Sequence, residues 1–248
     1  MQQQTMTRPR ILPLEGAPNV RHLGGYATRY GRSTGAHIVR SSSLHRLGSD
    51  GLGVLTSWGI RTVVDLRSEG ERNEFPTPDI APLGIERIVA AVFEHDASPP
   101  ALAPEFPGFA PIYQTFLETG RDAYRSVIET LATTSGGFLY HCAVGKDRTG
   151  VATALLLDLV GVADETIVED YSQSGGLLAE MLPQWEEAMR GRGLDASRAA
   201  ALMASPREDM VATIAHLRDR YGDAEGYFLE AGVSVGTIET ARERLVDG

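Results

Sequence analysis

Short apolar runs rich in β-branched residues alternate with longer amphipathic stretches along the first part of the chain. We predict three buried strands from these runs, at Ile60–Leu66, Ile85–Phe93 and Phe138–Cys142, because β-branched and aromatic residues in short apolar runs are typical of sheet interiors. Glycines punctuate short extended pieces over residues 19–35. This spacing predicts a hairpin, or a loop followed by a strand, ahead of the buried strands.

Apolar residues at helical spacing predict helices between and after these strands. One helix over Ile112–Thr133 leads into the third strand, and another over Arg148–Val160 follows it. The second is apolar on nearly every side, which is typical of a central, buried helix. The other predicted helices cover Asp50–Trp58, Glu165–Ser172, Leu177–Met189, Arg207–Tyr221, Ala224–Ala231 and Val235–Leu245. This order predicts an α/β fold with a mostly parallel central sheet flanked by helices and a helical C-terminal part.

Two segments lack a periodic pattern. Residues 1–18 are polar, contain proline and show no apolar spacing, so we expect a loose N-terminal arm. It precedes a single domain over residues 19–248. Five prolines in the segment from Asp96 to Pro111 argue against a helix there and predict a long loop.

Composition and charge exclude several classes of protein. The chain has 248 residues, with 23 Lys and Arg against 33 Asp and Glu and a net charge of −10, which argues against broad nucleic-acid binding. Its one cysteine, Cys142, cannot form an internal disulfide or a thiolate-rich metal site. No apolar segment resembles a signal peptide or a membrane span. We therefore expect a soluble, cytoplasmic protein that does not insert into membranes, and the oligomeric state stays open.

The stretch between the third strand and the following helix concentrates the candidate chemistry. A tight strand-to-helix loop directs several backbone N–H groups at one point, and the helix N-terminus adds positive charge. Gly145 lets the backbone turn, and Arg148 offers a planar fork for two phosphate oxygens. We predict an anion cradle formed by Ala143, Val144, Gly145, Lys146, Asp147 and Arg148.

Cys142 opens this loop, and the positive features that attract an anion also stabilise a thiolate. A thiolate beneath a bound phosphate is a nucleophile directed at phosphorus, so we expect a phosphocysteine that water then cleaves. Arg148 and the loop amides would stabilise charge on the equatorial oxygens, with no metal and no cofactor required. Thr149 can donate its hydroxyl to the sulfur, and His141 can orient the loop from behind.

Two other interpretations use the same residues. A lone cysteine at a strand end is most often a small buried apolar residue, but here it stands within a longer string of suitable residues. The pair Gly145-Lys146 suggests a nucleotide-binding loop. That interpretation fails because Asp147 stands where a Ser or Thr would bind magnesium, and Tyr140 stands where the first glycine should be.

The string from His141 to Thr149 resembles the signature loop of the cysteine-dependent protein tyrosine phosphatase superfamily. Its Gly-Lys-Asp-Arg form is similar to a bacterial tyrosine-phosphatase group with mycobacterial and Listeria members. Further blocks similar to that group occur in the same order at Asn19–Tyr26, Val39–Leu44, Gly59–Glu69, Glu169–Tyr171 and Tyr221–Phe228. The resemblance implies that residues 19–248 form one phosphatase catalytic domain. The implied substrate is a phosphorylated protein, carrying phosphotyrosine and sometimes phosphoserine or phosphothreonine, or another phosphoester such as a phosphoinositide.

Three aspartates are candidates for the general acid. The resemblance favours Asp147, which lies in the loop itself. Asp65 ends a strand at the sheet edge where α/β sites form, although it could instead pair with Arg67. Asp96 enters the proline-rich loop, as the acid does in many relatives, although it could simply be exposed. Lys146 could add a second positive charge at the loop mouth or be a solvated lysine.

Proteins of two other classes would carry a similar loop. A pseudophosphatase that binds phosphorylated ligands without turnover would normally lack Cys142, Arg148 or the loop glycine, and all three are present. A sulfur transferase or an arsenate reductase would also use a reactive cysteine. A reductase that resolves its intermediate within one chain needs a second thiol, which this chain lacks. A small-molecule phosphoester remains an open alternative substrate.

Overall fold

A five-stranded sheet forms the centre of the protein. The computed structural model describes residues 10–31, 34–93, 106, 108–191 and 193–246. The strands are β1 (Arg21–His22), β2 (Ile38–Ser41), β3 (Ile60–Asp65), β4 (Glu86–Val89) and β5 (Gly137–His141). Their spatial order is β1-β2-β5-β3-β4, with β1 antiparallel to β2 and all other pairs parallel. The predicted α/β class with a mostly parallel sheet is confirmed.

Helices flank this sheet and make up the C-terminal part, as predicted. The helices are α1 (Ser49–Ser57), α2 (Glu69–Glu74), α3 (Ala110–Thr119), α4 (Arg121–Thr133), α5 (Asp147–Leu159), α6 (Asp164–Leu178), α7 (Leu182–Arg190), α8 (Ala196–Met203), α9 (Arg207–Tyr221), α10 (Ala224–Glu230) and α11 (Val235–Leu245). Within the described ranges, none of them has the length and apolar character needed to cross a membrane.

Alternate residues along the strands enter two hydrophobic clusters on opposite faces of the sheet. Ile38 and Val64 belong to the larger cluster, which includes residues of every helix from α3 to α11, whereas Val39 and Val63 belong to the smaller one. This alternation follows from the two-residue period of a strand. The central strand β5 is buried on both faces and reads as an almost continuous apolar run, whereas the edge strand β4 is mostly exposed.

The central strand β5 places the candidate loop at the carboxyl edge of the sheet. In the register of the parallel pairs, His141 lies between Ser41 of β2 and Asp65 of β3. Helix α5 begins at Asp147 after five loop residues, and every residue of the helix after Asp147 is buried. The predicted strand, loop and central helix are therefore confirmed.

The long helix predicted over residues 112–133 is wrong, because two helices occupy this range. Helix α3 ends at Thr119, α4 begins at Arg121, and Gly120 caps both helices. A Cβ atom at Gly120 would lie 2.6 Å from the Phe116 carbonyl oxygen and 2.7 Å from a Val92 methyl group. The glycine therefore allows the close approach at the junction of the two helices.

The helical segment around Trp185 also differs from the prediction. The helix expected over residues 177–189 is split, since α6 runs on to Leu178 and α7 starts at Leu182 after a short 3-10 turn. Pro183 in the first turn of α7 explains the break, because proline cannot donate to a preceding turn. Helices α2 and α8 were not predicted, and both are short.

The N-terminal segment is not a loose arm from residue 10 onward. Leu12, Leu14 and Ala17 are buried in the smaller cluster, and Leu12 N–H donates to the Val20 carbonyl oxygen at 3.0 Å. Because polar residues surround these few apolar positions, their spacing shows neither the period of a helix nor that of a longer strand. The first nine residues lie outside the described part of the chain, as does most of the predicted proline-rich loop.

Candidate active site

The loop from Cys142 to Lys146 is held against the end of β2. Gly145 adopts a positive φ of 70°, and a Cβ atom there would lie 2.4 Å from the Ser41 carbonyl oxygen. Ser43 N–H donates to the Ala143 carbonyl oxygen at 2.9 Å. Only glycine fits the position of residue 145, because both the left-handed backbone and the close contact exclude a side chain.

Cys142 lies at the base of this loop and is 1% exposed. Behind it, the Nδ1 atom of His141 lies 3.1 Å from the Cys142 carbonyl oxygen, and its Nε2 atom lies 3.8 Å from Asp65. Burial lowers the pKa of His141, although the charge of Asp65 opposes this effect. The hydroxyl of Thr149 is buried and makes no hydrogen bond within the described residues, so the predicted bond to the sulfur is not formed here.

Arg148 is held by an acidic partner that was not predicted. Its Nη1 and Nη2 atoms donate to the two carboxylate oxygens of Glu71 at 2.5 and 2.7 Å. Burial lowers the pKa of Arg148, but the hydrogen bonds to Glu71 and the charge of Cys142 outweigh it and raise the pKa. The pKa of Glu71 is lowered because its bonds to Arg148 outweigh its own burial. The pair is therefore ionised near neutral pH.

This contact leaves one edge of the guanidinium available. Glu71 occupies the edge formed by the two terminal nitrogens, and the Nε–H of Arg148 makes no hydrogen bond within the described ranges. The ring of Phe93 lies 4.8 Å from the guanidinium carbon and packs on its face. An arginine fixed on one edge and one face can present its Nε edge to two oxygens of a phosphoryl group.

Asp147 lies at the junction between the loop and α5, and its side chain is partly exposed. Its Oδ1 atom accepts a hydrogen bond from the Tyr113 hydroxyl at 2.6 Å, and that hydroxyl lies 2.8 Å from the Tyr171 hydroxyl. Burial and the nearby charge of Asp147 raise the pKa of Tyr113 well above its usual range. Tyr113 is thus a permanent donor that orients the carboxylate.

The carboxylate of Asp65 forms an ion pair with Arg67. This is the alternative to a general acid that the sequence left open for Asp65. Its two carboxylate oxygens accept from Nε and Nη2 of Arg67 at 2.9 and 2.7 Å, and its side chain is fully buried. Burial raises its pKa, but the charge of His141 and the bonds to Arg67 outweigh this and lower it. A buried carboxylate held ionised in this way is poorly suited to donate a proton. Asp96 lies outside the described residues.

The side chain of Lys146 does not extend from the loop mouth, and the alternative prediction of a solvent-exposed lysine is also wrong. Its side chain is fully buried, and its ammonium group donates to the carbonyl oxygens of Leu202 and Ala204, each at 2.7 Å. The ring of Phe109 lies 3.5 Å from the ammonium nitrogen. Burial lowers the pKa of Lys146, while Asp147 at 3.3 Å opposes this. The lysine therefore joins the loop to the C-terminal end of α8.

Sequence reasoning missed Glu71 and Tyr113. A signal for Glu71 was present, because Ser68 and Glu71 have the spacing of a helix capping box, and the structure contains one. Nothing in the sequence indicated that the capping carboxylate would also reach Arg148. Tyr113 gave no local signal, since it lies 34 residues before its partner Asp147.

Comparisons with known proteins match nearly the whole chain. A family model described as "Tyrosine phosphatase family" matches residues 12–247. The chain is similar to a tyrosine-protein phosphatase of Nostoc commune, 29% identical over 219 residues that cover 84% of this chain and 74% of the relative. It is also similar to the triple specificity protein phosphatase PtpB of Mycobacterium tuberculosis, 27% identical over 287 residues, covering 95% of this chain and 99% of PtpB. Among solved structures, P. aeruginosa TpbA aligns with a TM-score of 0.35 at 16% identity, covering 79% of this chain and 86% of TpbA.

Proposed function

Because the chain belongs to the tyrosine phosphatase family, we propose that it hydrolyses phosphomonoesters through a covalent phosphocysteine on Cys142. One observation carries the proposal. Cys142 and Arg148 stand at the two ends of one strand-to-helix loop, and Glu71 fixes the guanidinium while no other described residue hydrogen-bonds to its Nε–H. A nucleophile below the phosphoryl group and a fixed cation beside it are the parts that in-line transfer to a thiolate requires.

In the first step, the Cys142 thiolate attacks phosphorus and forms the sulfur–phosphorus bond. The bond from phosphorus to the ester oxygen breaks, its electron pair stays on the leaving oxygen, and Asp147 supplies the proton. In the second step, water attacks the phosphocysteine and gives its proton to Asp147. The sulfur–phosphorus bond then breaks, which releases inorganic phosphate and restores the thiolate, so no metal or cofactor enters either step.

The choice of Asp147 as the acid rests on its contacts. Its side chain is 22% exposed, whereas that of Asp65 is fully buried and paired with Arg67. The Tyr113 hydroxyl and the Lys146 ammonium hold the Asp147 carboxylate from one side. A positioned carboxyl group with an exposed edge meets the geometric requirement for proton transfer to a leaving oxygen.

We propose phosphotyrosine in proteins or peptides as the main substrate class. The family description and the name of the Nostoc commune relative support this choice, whereas the triple specificity named for PtpB points to further phosphoesters as well. The ammonium group of Lys146 is engaged by the α8 carbonyls, and this removes the main reason to expect recognition of several phosphates at once. Phosphoserine, phosphothreonine, phosphoinositide and metabolite substrates are competing outcomes of the same assay.

The first experiment measures hydrolysis of p-nitrophenyl phosphate in EDTA, with and without orthovanadate, for the wild type and Cys142→Ser. We expect metal-independent turnover, vanadate inhibition and no turnover in the variant. Acid quenching of the wild type with labelled substrate should trap a phosphoenzyme that Cys142→Ser does not form. Turnover by Cys142→Ser would refute the mechanism. Vanadate binding without turnover in the wild type would instead indicate a pseudophosphatase.

A second experiment compares kcat/KM across phosphotyrosine, phosphoserine and phosphothreonine peptides of one sequence and across phosphoinositides in micelles. We expect the phosphotyrosine peptide to be hydrolysed most efficiently. A higher kcat/KM for a phosphoinositide or for a phosphoserine peptide would overturn the substrate assignment while leaving the phosphocysteine mechanism in place.

A further inference from the structure

A fully buried polar cluster lies directly behind the anion cradle. It consists of Asn19, Arg21, Arg40 and Asp170, each at most 3% exposed. The four residues come from the segment before β1, from β1, from β2 and from α6. Three of the sequence blocks that resemble the phosphatase group therefore meet at one place, although none of these residues was a predicted site residue.

Asn19 and Arg40 bind the outer side of the loop. The Nδ2 atom of Asn19 donates to the carbonyl oxygens of Val144 and Gly145, both at 3.0 Å. The Nη2 atom of Arg40 donates to the same Gly145 carbonyl oxygen at 2.8 Å. Two consecutive peptide groups of the loop are thus held by three hydrogen bonds from buried side chains.

The remaining contacts of the cluster fix these two donors. Asp170 forms ion pairs with Arg40 at 2.5 Å and with Arg21 at 3.0 Å. Arg21 in turn donates to the Oδ1 atom of Asn19, which orients the carboxamide so that its nitrogen faces the loop. The backbone of Asn19 adopts a positive φ of 58°. Asn tolerates this conformation better than most residues do, and it places the side chain under the loop.

The direction of these bonds has a consequence for the inner side of the loop. In a trans peptide the C=O and N–H groups point in opposite directions. With the Val144 and Gly145 carbonyls directed at the cluster, the N–H groups of Gly145 and Lys146 point away from it. Donors on a carbonyl oxygen also polarise the N–H of the same peptide group. The described residues contain two cations and one anion in this cluster, a balance that favours an anion on the far side of the loop.

We propose that Asn19 and Arg40 are positioning residues for oxyanion binding, and that they act by clamping the two loop carbonyls so that the loop N–H groups face the phosphoryl oxygens. The proposal rests on the proposed function, since it assigns the loop to a phosphoryl group. Neither residue touches the substrate in this arrangement. Their effect passes through the peptide groups 144–145 and 145–146.

The test uses the two asparagines of the chain, Asn19 and Asn73. Asn19→Asp keeps the size of the side chain and the acceptor for Arg21, but it replaces the donor to the carbonyls with an acceptor. Asn19→Gly removes the side chain without adding charge, and glycine accepts the positive φ. Asn73→Asp makes the same chemical change on an exposed position of α2 and is the matched control.

For each variant we would measure the orthovanadate inhibition constant, kcat and KM for p-nitrophenyl phosphate, and Tm. We expect the inhibition constant to rise by about tenfold or more in Asn19→Asp and by a smaller factor in Asn19→Gly, because two hydrogen bonds of ordinary net strength are lost. The value of kcat/KM should fall in parallel. Asn73→Asp should match the wild type in all three measurements.

A lower Tm with an unchanged inhibition constant in both Asn19 variants would show that the cluster only stabilises the fold, and it would overturn the proposal. If neither variant folds, Arg40→Lys keeps the buried charge but loses the fork that reaches Gly145 and Asp170 together. An inhibition constant equal to that of the wild type in Arg40→Lys would also overturn it.

Vanadate binding to the wild type, measured by calorimetry beside turnover, separates failure of the positioning role from failure of the proposed function. A wild type that binds vanadate without turnover refutes the proposed function, while the variants still test the positioning role.

Discussion

Glu71 accepts hydrogen bonds from both terminal nitrogens of Arg148. The same carboxylate accepts from the Ser68 N–H at 2.9 Å and so closes the capping box of α2. One side chain therefore caps the N-terminus of α2 and fixes the guanidinium at the start of α5. Because the capping geometry holds Glu71 in place, Arg148 does not need to be ordered by the substrate.

Replacing Glu71 with Gln should weaken oxyanion binding. The amide keeps one acceptor but places an NH₂ group against the guanidinium, so Arg148 is no longer held on one edge. We expect kcat/KM for p-nitrophenyl phosphate to fall about tenfold or more, which corresponds to at least about 1.4 kcal/mol. The matched control is Glu69→Gln in the exposed first turn of the same helix. If Glu71→Gln instead binds vanadate more tightly than Glu69→Gln, Glu71 is a competitor of the phosphoryl group rather than its support.

Removing the Tyr113 hydroxyl should reduce proton transfer by Asp147. Tyr113→Phe loses the 2.6 Å hydrogen bond to that carboxylate. A leaving group of high pKa needs the acid more than an activated one. We therefore expect a larger loss of kcat for phenyl phosphate than for p-nitrophenyl phosphate, and a still larger difference for Asp147→Asn. The control is Tyr227→Phe. It also removes a buried tyrosine hydroxyl, but one that donates to a backbone carbonyl oxygen and not to Asp147. Equal losses on the two substrates in Asp147→Asn would exclude Asp147 as the acid.

Truncating Leu14 should destabilise the whole domain. Leu14 is 7% exposed within the smaller cluster, whereas Ile11, three residues earlier, is 50% exposed. Leu14→Ala should lower the free energy of unfolding by about 2–4 kcal/mol, the usual cost of such a cavity. Ile11→Ala should lower it by less than about 1 kcal/mol, as is usual for surface positions. Equal unfolding midpoints in denaturant for the two variants would mean that residues 10–18 do not belong to the cooperative core.

The stability of the protein should fall in acid as Asp170 takes up a proton. Burial raises its pKa, but the charges of Arg21 and Arg40 outweigh this and lower the pKa from 3.8 to about 2. A group with a lowered pKa in the folded state stabilises the fold above its ordinary pKa, and this contribution is lost as the pH falls from about 4 to about 2. The contribution is about 2 kcal/mol.

Asp170→Asn tests this relation through the pH dependence of the free energy of unfolding. The variant should be less stable than the wild type at pH 7, because two buried arginines lose their partner. The gap between wild type and variant should narrow as the pH falls below about 4. Asp122→Asn, whose side chain is 90% exposed, should follow the wild type at every pH. A constant gap between the wild type and Asp170→Asn would show that Asp170 does not titrate in this range.

Local sequence predicts the bounds of some helices closely and fails for segments whose structure depends on distant contacts. Helices α9 and α11 have the predicted bounds, and α5 lies within one residue of its prediction, because their apolar spacing or continuous apolar character is a local property. The helix predicted over residues 112–133 was wrong because one glycine permits a close contact between distant segments. Such a contact has no periodic signal. Residues 10–18 pack on the sheet for the same reason, since their burial depends on a surface that the sequence does not display.

The sequence by itself determined the α/β class and the loop from Cys142 to Arg148, because a strand, a glycine turn and a helix start are encoded within a short stretch. Only the tertiary structure decided which side chains hold that loop. Glu71 reaches Arg148 across 77 positions, Asn19 reaches Gly145 across 126, and Lys146 turns inward to carbonyl oxygens 56 and 58 positions away. Buried polar and charged groups must find partners wherever the fold brings them. These pairings therefore depend on topology and not on spacing along the chain.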